Sequence, residues 1–315
     1  MLSKASKWKG ERMKFPVKYA KNTTGGSFSG FQTFATTATD NRVNLEFVPK
    51  FYHIDVALPL DELSVNQSDT ASQVLDLASI EMASTAQDAA DDIGTMFYGT
   101  GSGTDMLGLE AIVDDGTNAA TYGTLSRTTY TTLRSTVTAS GGTLTLAKLD
   151  TLYNAATSGA QKPSLGLCSE TIFALYGQLL TAQERIAKDV PMMKSQGNMG
   201  KVGTGMVGGT GFTGLFYKGF PILADEKATS GVLYFVNEDY IDWYALPMAM
   251  TSPAKYRSQD IEGNDYSNVE GLGFSWSDWI KPTNAASIVG HIYLGGELIS
   301  QNPKRHSKLT GITSI

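Results

Sequence analysis

The sequence predicts an α+β protein in which an extended arm and a strand hairpin precede one long helix, a mixed α/β lobe and a set of returning strands. Three features predict it: period-two alternation between residues 43 and 55, a switch to steps of three and four from Ser68 to Phe97, and helix starts interleaved with short apolar strands from Thr145 onward. With 315 residues the chain exceeds the usual size of one compact core, so two lobes or one elaborated domain are expected. It contains no internal repeat.

The arm comes first. Residues 22–41, NTTGGSFSGFQTFATTATDN, are rich in Gly, Ser and Thr, with Phe28, Phe31 and Phe34 spaced by three. Such a segment is extended and needs an apolar surface to lie on. In RVNLEFVPKFYHIDVALPL, Val43, Leu45 and Phe47, then Phe51, His53 and Asp55, alternate about Pro49-Lys50, the pattern of a two-stranded excursion. Two strands alone are marginal in water, so arm and hairpin, about sixty residues without a core of their own, call for a surface supplied by another subunit. From Ser68 to Phe97, Ala71, Leu75, Ala78, Met82, Ala86, Ala89, Ile93 and Met96 recur at helical spacing, and Thr70 with Gln73 resembles a capping box. One amphipathic helix of roughly 45 Å is predicted, ended by Gly99 to Gly103. Its other face carries Asp76, Asp88, Asp91 and Asp92, either a solvated flank or a face that meets a basic partner.

Helix signals return at Thr145 (Leu146, Leu149, Leu152, Tyr153, Ala156) and at Ser169 (Ile172, Leu175, Tyr176, Leu179), the second preceded by a short buried strand, Leu165 to Cys168. Residues 194–214, KSQGNMGKVGTGMVGGTGFTG, are too glycine-rich for regular structure, and cleavage by proteases is expected first near Lys194 or Lys201. Strands resume in GLFYKGFPILADE, GVLYFVNED and YIDWYALP, then in VEGLGFSWSDWIKP and ASIVGHIYLGGELIS. In SQNPKRHSKLTGI, residues 300–312, Asn302-Pro303 reads as a turn between strands and Lys304, Arg305, His306 and Lys308 as its solvated tip. Neutralising Lys304, Arg305 and Lys308 together is then expected to leave folding intact.

Charge narrows the function classes. A net charge of -6 with 18% charged residues argues against a general polyanion binder. The average hides a polarity: residues 1–21 hold seven Lys and Arg against Glu11 alone, while residues 51–99 hold nine acids and no Lys or Arg. A basic arm and an acidic body in one polypeptide can pair between copies. The single Cys168 forms no intramolecular disulfide, which suits a reducing cytoplasm. Neither a signal peptide nor a membrane span is expected, so the sequons at Asn22 and Asn66 carry no weight.

Templates for chemistry find no footing. Gly203, Gly205 and Gly208 match GxGxxG, but no strand precedes them and no helix opens on them to present backbone N–H groups to a pyrophosphate. His53, His291 and His306 lie on separate segments without ligand spacing. Asp91-Asp92 and Asp114-Asp115 are adjacent pairs whose side chains diverge, which fits solvated acids better than an acid/base dyad. Trp276 and Trp279 suit core or interface burial better than stacking on a sugar or base. A chain of this size without a catalytic cluster, but with a coreless arm, a coreless hairpin and a long helix, is built to touch copies of itself.

LSKASKWKGERMKFPVKYAKNTTGGSFSGF near the start, YKGFPILADEKATSGVLYFVNEDYIDWYALP in the middle and GHIYLGGELISQNPKRHSKLTGI near the end closely resemble tailed-bacteriophage major capsid proteins with the HK97-type fold. The resemblance covers nearly the whole chain. It implies an N-terminal arm at 1–40, an extended E-loop hairpin at 41–66, a P-domain at 67–144 with a spine helix over 68–98, an A-domain at 145–246, and return strands at 247–315 that belong mainly to the P-domain. It implies a coat protein, not an enzyme, that self-assembles into pentamers and hexamers. The resulting icosahedral shell encloses phage double-stranded DNA without sequence specificity. Scaffold, portal and decoration proteins are further partners, and the location is the virion capsid, assembled in the bacterial host cytoplasm. No catalytic residue, cofactor, metal or membrane contact is implied.

The candidates for subunit interfaces are Lys7, Arg12, Lys14, Lys18, Phe28, Phe31, Phe47, Lys50, Phe51, Asp88, Asp91 and Asp92. Some shells of this type cross-link covalently through a loop lysine, and Lys50 falls at the expected hairpin tip, yet nothing identifies an acceptor asparagine or a catalytic acid. Members of the family carry further residues ahead of the segment that opens here at Met1-Leu2, which implies a truncated or processed start. An encapsulin-like compartment of the same fold is the alternative, told apart by a peptide-cargo groove and protein contents in place of DNA. An enzyme or a secreted β-rich adhesin would instead be a monomer or small oligomer.

Overall fold

The computed structural model describes residues 5–31, 33–34, 36, 40–65, 77–139, 141–181, 215–246, 274–277 and 279–314. The glycine-rich segment at 194–214, with its GxGxxG match, and the start of the expected long helix at 68–76 lie outside these residues. Along the chain run β1 (Ala5–Lys7), β2 (Met13–Lys18), β3 (Arg42–Phe47), β4 (Lys50–Pro59), α1 (Leu60–Val65), α2 (Leu77–Tyr98), α3 (Leu109–Ile112), β5 (Thr121–Tyr122), β6 (Leu125–Ser126), β7 (Thr136–Thr138) and β8 (Gly142–Thr143). They are followed by α4 (Leu146–Ala156), β9 (Leu165–Cys168), α5 (Glu170–Thr181), β10 (Leu215–Tyr217), β11 (Phe220–Ala224), β12 (Leu233–Val236), β13 (Ile241–Ala245), β14 (Ser275–Trp276), β15 (Ser287–Ser300), β16 (Ser307–Leu309) and β17 (Ile312–Ser314). Two compact units divide them, one of Met1–Ile112, Asn118–Leu133 and Ile241–Gln301, the other of Val113–Thr117, Arg134–Tyr240 and Asn302–Ile315.

The first unit is built around the 14-residue strand β15. It pairs antiparallel with β4 from Ser287 to Gly296, with β13 from Gly296 to Ser300, and with β14 at Ile292 and Tyr293, while β1 joins β13 in parallel. Gly295 is required where it stands, because a Cβ there would sit 2.7 Å from the Leu246 carbonyl. Helix α2 covers one sheet face. Its Ala89, Ile93 and Tyr98 are buried, as are Val56 and Leu58 of β4, and Phe97 packs edge-on against Trp243 at 5.5 Å. At 1.5 Å per residue, the 22 described residues of α2 run roughly 33 Å, and the Gly99 N–H closes on the Met96 carbonyl where the helix stops.

The strand registers correct the expected hairpin at 41–66. β3 pairs antiparallel with β2, from Met13 opposite Phe47 to Lys18 opposite Arg42, whereas β4 pairs with β15. The two-stranded excursion is therefore β2–β3, joined by residues 19–41. Alternation in a sequence identifies a strand and its buried face but not the strand beside it. The hairpin also has apolar anchorage within its own chain, contrary to expectation. Leu45 and Phe47 are buried, the Phe47 ring lies 5.2 Å from Tyr122 and 6.2 Å from Phe15, and Trp8 is buried with its indole N–H donated to the Gly10 carbonyl at 2.8 Å.

The second unit holds a six-stranded mixed sheet in the order β10-β11-β9-β12-β16-β7. Leu149, Leu152 and Tyr153 of α4 and Ile172 and Tyr176 of α5 bury against Cys168, Phe220, Phe235 and Leu309. Thr145 caps α4, its side chain accepting from the Lys148 N–H. A 3-10 turn at Pro303–Arg305 matches the expected turn, but the solvated tip does not survive. Lys304 is exposed and Arg305 half-buried, while His306 and Lys308 are buried. The cause is topological: β16 is an inner strand, paired antiparallel with β12 and parallel with β7. Lys308 Nζ lies 3.6 Å from Oδ1 of Asp114, which is itself buried, so Asp114 is not the solvated acid expected. His306 Nδ1 accepts the Asn237 N–H at 3.2 Å, and burial lowers its pKa to about 3.

Candidate assembly surfaces

On β2 the exposed residues Lys14, Pro16 and Lys18 alternate with the half-buried Met13, Phe15 and Val17. Arg12 and Lys14 converge on Glu46 of β3, at 3.4 and 2.9 Å, and the Lys14 hydrogen bond holds the Glu46 carboxyl below the ordinary range. Lys18 stands opposite Arg42, so the end of the ladder nearer residues 19–41 is positive. Tyr19 begins that connection, donating its hydroxyl to the Asp40 carbonyl at 2.9 Å. Beyond it Phe28 and Phe34 are 65% and 62% exposed, with rings 5.3 Å apart, and Phe31 is exposed as well. The segment that connects the two strands of this basic ladder therefore carries exposed aromatic residues.

On α2, Glu81, Asp88 and Asp91 are exposed. Asp92 accepts the Tyr52 hydroxyl at 2.8 Å, and burial together with that carboxylate raises the Tyr52 pKa. On the other face of the β4–β15 ladder, Phe51 is half exposed, His291 Nδ1 lies 2.5 Å from Asp55 Oδ1, and the Tyr293 ring is flanked by His53 and His291. Trp276 and Trp279 are half-buried, with rings 5.3 Å apart.

Of the twelve interface candidates, Lys7, Arg12, Lys14, Lys18, Phe28, Phe31, Phe51, Asp88, Asp91 and Asp92 are exposed. Phe47 is not, because it packs inside the first unit. Lys50 sits at no hairpin tip: it opens β4, is half-buried, and donates its ammonium to the Gly103 carbonyl. Among the described residues no group of three or more His, Cys, Asp or Glu is placed to hold a metal ion, and no helix is long and apolar enough to cross a membrane.

Two buried charged residues escaped sequence reasoning. Arg127 is fully buried, donates to the carbonyls of Ala111 (2.7 Å), Ile112 (3.0 Å), Ala119 (3.1 Å) and Leu133 (3.1 Å), and lies over the Tyr122 ring. Its signal was isolation, since Arg127 and Arg134 are the only charged residues between Asp115 and Lys148. Glu297 on β15 is buried and accepts the Leu107 N–H, and burial raises its carboxyl pKa to about 8. Its strand context gave no warning.

No protein-family model matches the chain, and no curated protein matches it in sequence. Solved structures do match in fold. The cyanophage A-1(L) capsid asymmetric unit aligns over 99% of this chain and 91% of its own, with a TM-score of 0.61 at 16% identity. The holo-SrpI encapsulin complex from Synechococcus elongatus PCC 7942 aligns over 99% and 85%, with a TM-score of 0.59 at 12% identity. The capsid of an empty GTA particle aligns over 99% and 88%, with a TM-score of 0.58 at 9% identity. The chain has the HK97-type fold of these capsid and encapsulin shells.

Proposed function

We propose that the chain is a major capsid protein that self-assembles into pentamers and hexamers and closes an icosahedral shell around phage double-stranded DNA. The observation that carries this, beyond the fold, is the β2–β3 hairpin, whose connection leaves Phe28, Phe31 and Phe34 exposed. Such a cluster needs cover, and a symmetric shell supplies it by repeating one contact between copies. In this reading β2–β3 acts as the E-loop, the first unit as the P-domain with α2 as spine, and the second unit as the A-domain. Lys7, Arg12, Lys14 and Lys18 offer a neighbouring copy a positive face, Asp88, Asp91 and Asp92 a negative one, and Phe28, Phe31 and Phe51 apolar contact. A net charge of -6 suits a lining that holds DNA without gripping it at every point. Scaffold, portal and decoration partners, a structural rather than catalytic role, and assembly in the host cytoplasm into a virion complete the proposal.

A second reading, a protein nanocompartment shell, is favoured by the match to the SrpI encapsulin complex. Expression of the full chain, alone and with a scaffold, followed by sedimentation and electron microscopy, tests the shared part. Closed shells or ring-shaped capsomers are expected, and a well-folded monomer under all conditions overturns both readings. Nuclease-resistant DNA inside particles recovered from infected cells favours the capsid, and enclosed protein without DNA the compartment.

A further inference from the structure

The loop from Gly99 to Gly108, between α2 and α3, is fastened to the sheet of the first unit by two side chains. Glu297 of β15 takes the Leu107 N–H, and Lys50 of β4 gives its ammonium to the Gly103 carbonyl. Lys50 stands opposite Gly296, the residue before Glu297, and lies close enough for its charge to act on the Glu297 carboxyl. At the neck of the loop Gly108 packs so tightly that a Cβ would lie 2.4 Å from the carbonyls of Met96 and Gly99. The apex, Ser102 to Asp105, is exposed and closes on itself through the Asp105 N–H to the Ser102 carbonyl at 3.2 Å.

We propose that Glu297 and Lys50 form a proton-operated latch, in which ionisation of Glu297 draws the Lys50 ammonium from the Gly103 carbonyl to the carboxylate and releases the apex of the loop. The proton leaves to solvent, and the buried negative charge that remains needs a counter-ion. Lys50 is the cation that acts on Glu297. Tyr244 faces Glu297 across the β13–β15 ladder, and Tyr122 of β5 is near enough to feel its charge, but burial keeps both phenols protonated. Asp105, on the apex itself, is an exposed acid. The Leu107 N–H stays bonded in either state and binds the carboxylate more strongly than the acid, so the switch loosens the apex and spares the neck. Burial sets the carboxyl near pH 8, which places the switch close to physiological conditions.

The test is amide hydrogen exchange of the full chain between pH 6 and 10, corrected for intrinsic exchange rates and resolved to single residues. Protection of the Asp105 amide is expected to fall at least tenfold through pH 8 in the wild type while that of Leu107 holds. Glu297→Gln keeps a neutral acceptor for Leu107 and should leave Asp105 protected throughout, whereas Lys50→Met should leave it unprotected even at pH 6. A wild-type apex whose protection does not change with pH overturns the latch whatever the variants do. The same pH response in Glu297→Gln as in the wild type also overturns it.

Discussion

Arg127 shows what one residue does in this fold. Its guanidinium gathers four carbonyls from three separate turns of chain. Arg127→Met is expected to lower stability by about 3–5 kcal/mol, read as a shift of the urea midpoint, because it removes a buried cation that donates to four carbonyls. Arg127→Lys should recover only part, since an ammonium cannot fork to four carbonyls. In the basic run, Lys304→Gln should stay within about 0.5 kcal/mol of wild type. Lys308→Gln should cost about 3 kcal/mol or more by removing the buried ammonium that faces the buried Asp114 carboxylate, so the triple Gln variant is expected to fail in folding. Composition could not separate Lys304 from Lys308. Four residues apart and alike in the sequence, they differ only because one lies on a turn and the other on an inner strand.

At the scale of elements, the sequence was clearest where local chemistry decides. Thr145 before an apolar period defined α4, the run Leu165 to Cys168 defined β9, and the Ala89-Ile93 face defined α2. It was silent where pairing is long-range: β3 and β4 abut in sequence, yet their partners are β2 and β15. The candidate assembly surface was half legible, since the exposed Phe28 and Phe31 follow from composition, while the burial of Phe47 depends on Tyr122, more than seventy residues on. Replacing residues 20–40 by a two-residue Asn-Gly turn should preserve β2–β3 and leave the thermal midpoint within a few degrees of wild type, because that turn suits the twist of an antiparallel pair. Sedimentation should then show subunits that no longer assemble. If the basic ladder meets the α2 acids of a neighbouring copy, Lys14→Glu with Lys18→Glu should block assembly, as should Asp88→Lys with Asp91→Lys. All four changes in one chain should restore it, and failure of that rescue with both pairs well folded would refute the pairing.

For the whole molecule, the two units answer pH in opposite directions. His306 has a folded pKa of about 3, below its ordinary 6.5, so its contribution to the second unit is complete above 6.5 and is lost as pH falls toward 3. Glu297 has a folded pKa of about 8, above its ordinary 4.5, so its contribution to the first unit is complete below 4.5 and is lost as pH rises through 8. All four tryptophans, Trp8, Trp243, Trp276 and Trp279, belong to the first unit, so their fluorescence follows that unit alone while circular dichroism follows both. At pH 9 fluorescence should report the earlier urea midpoint, and at pH 5 it should lag behind circular dichroism; coincident transitions at both pH values would sink the expectation. The late strands also bear on biosynthesis. β15 completes a ladder begun by β4, and β16 slots between β12 and β7, so both sheets stay open until residues 287–309 have left the ribosome. Folding must therefore be largely post-translational, slowed by loop closure across most of the chain. A polypeptide whose translation stops earlier displays raw strand edges, which chaperones and proteases recognise, so synthesis itself screens out incomplete copies.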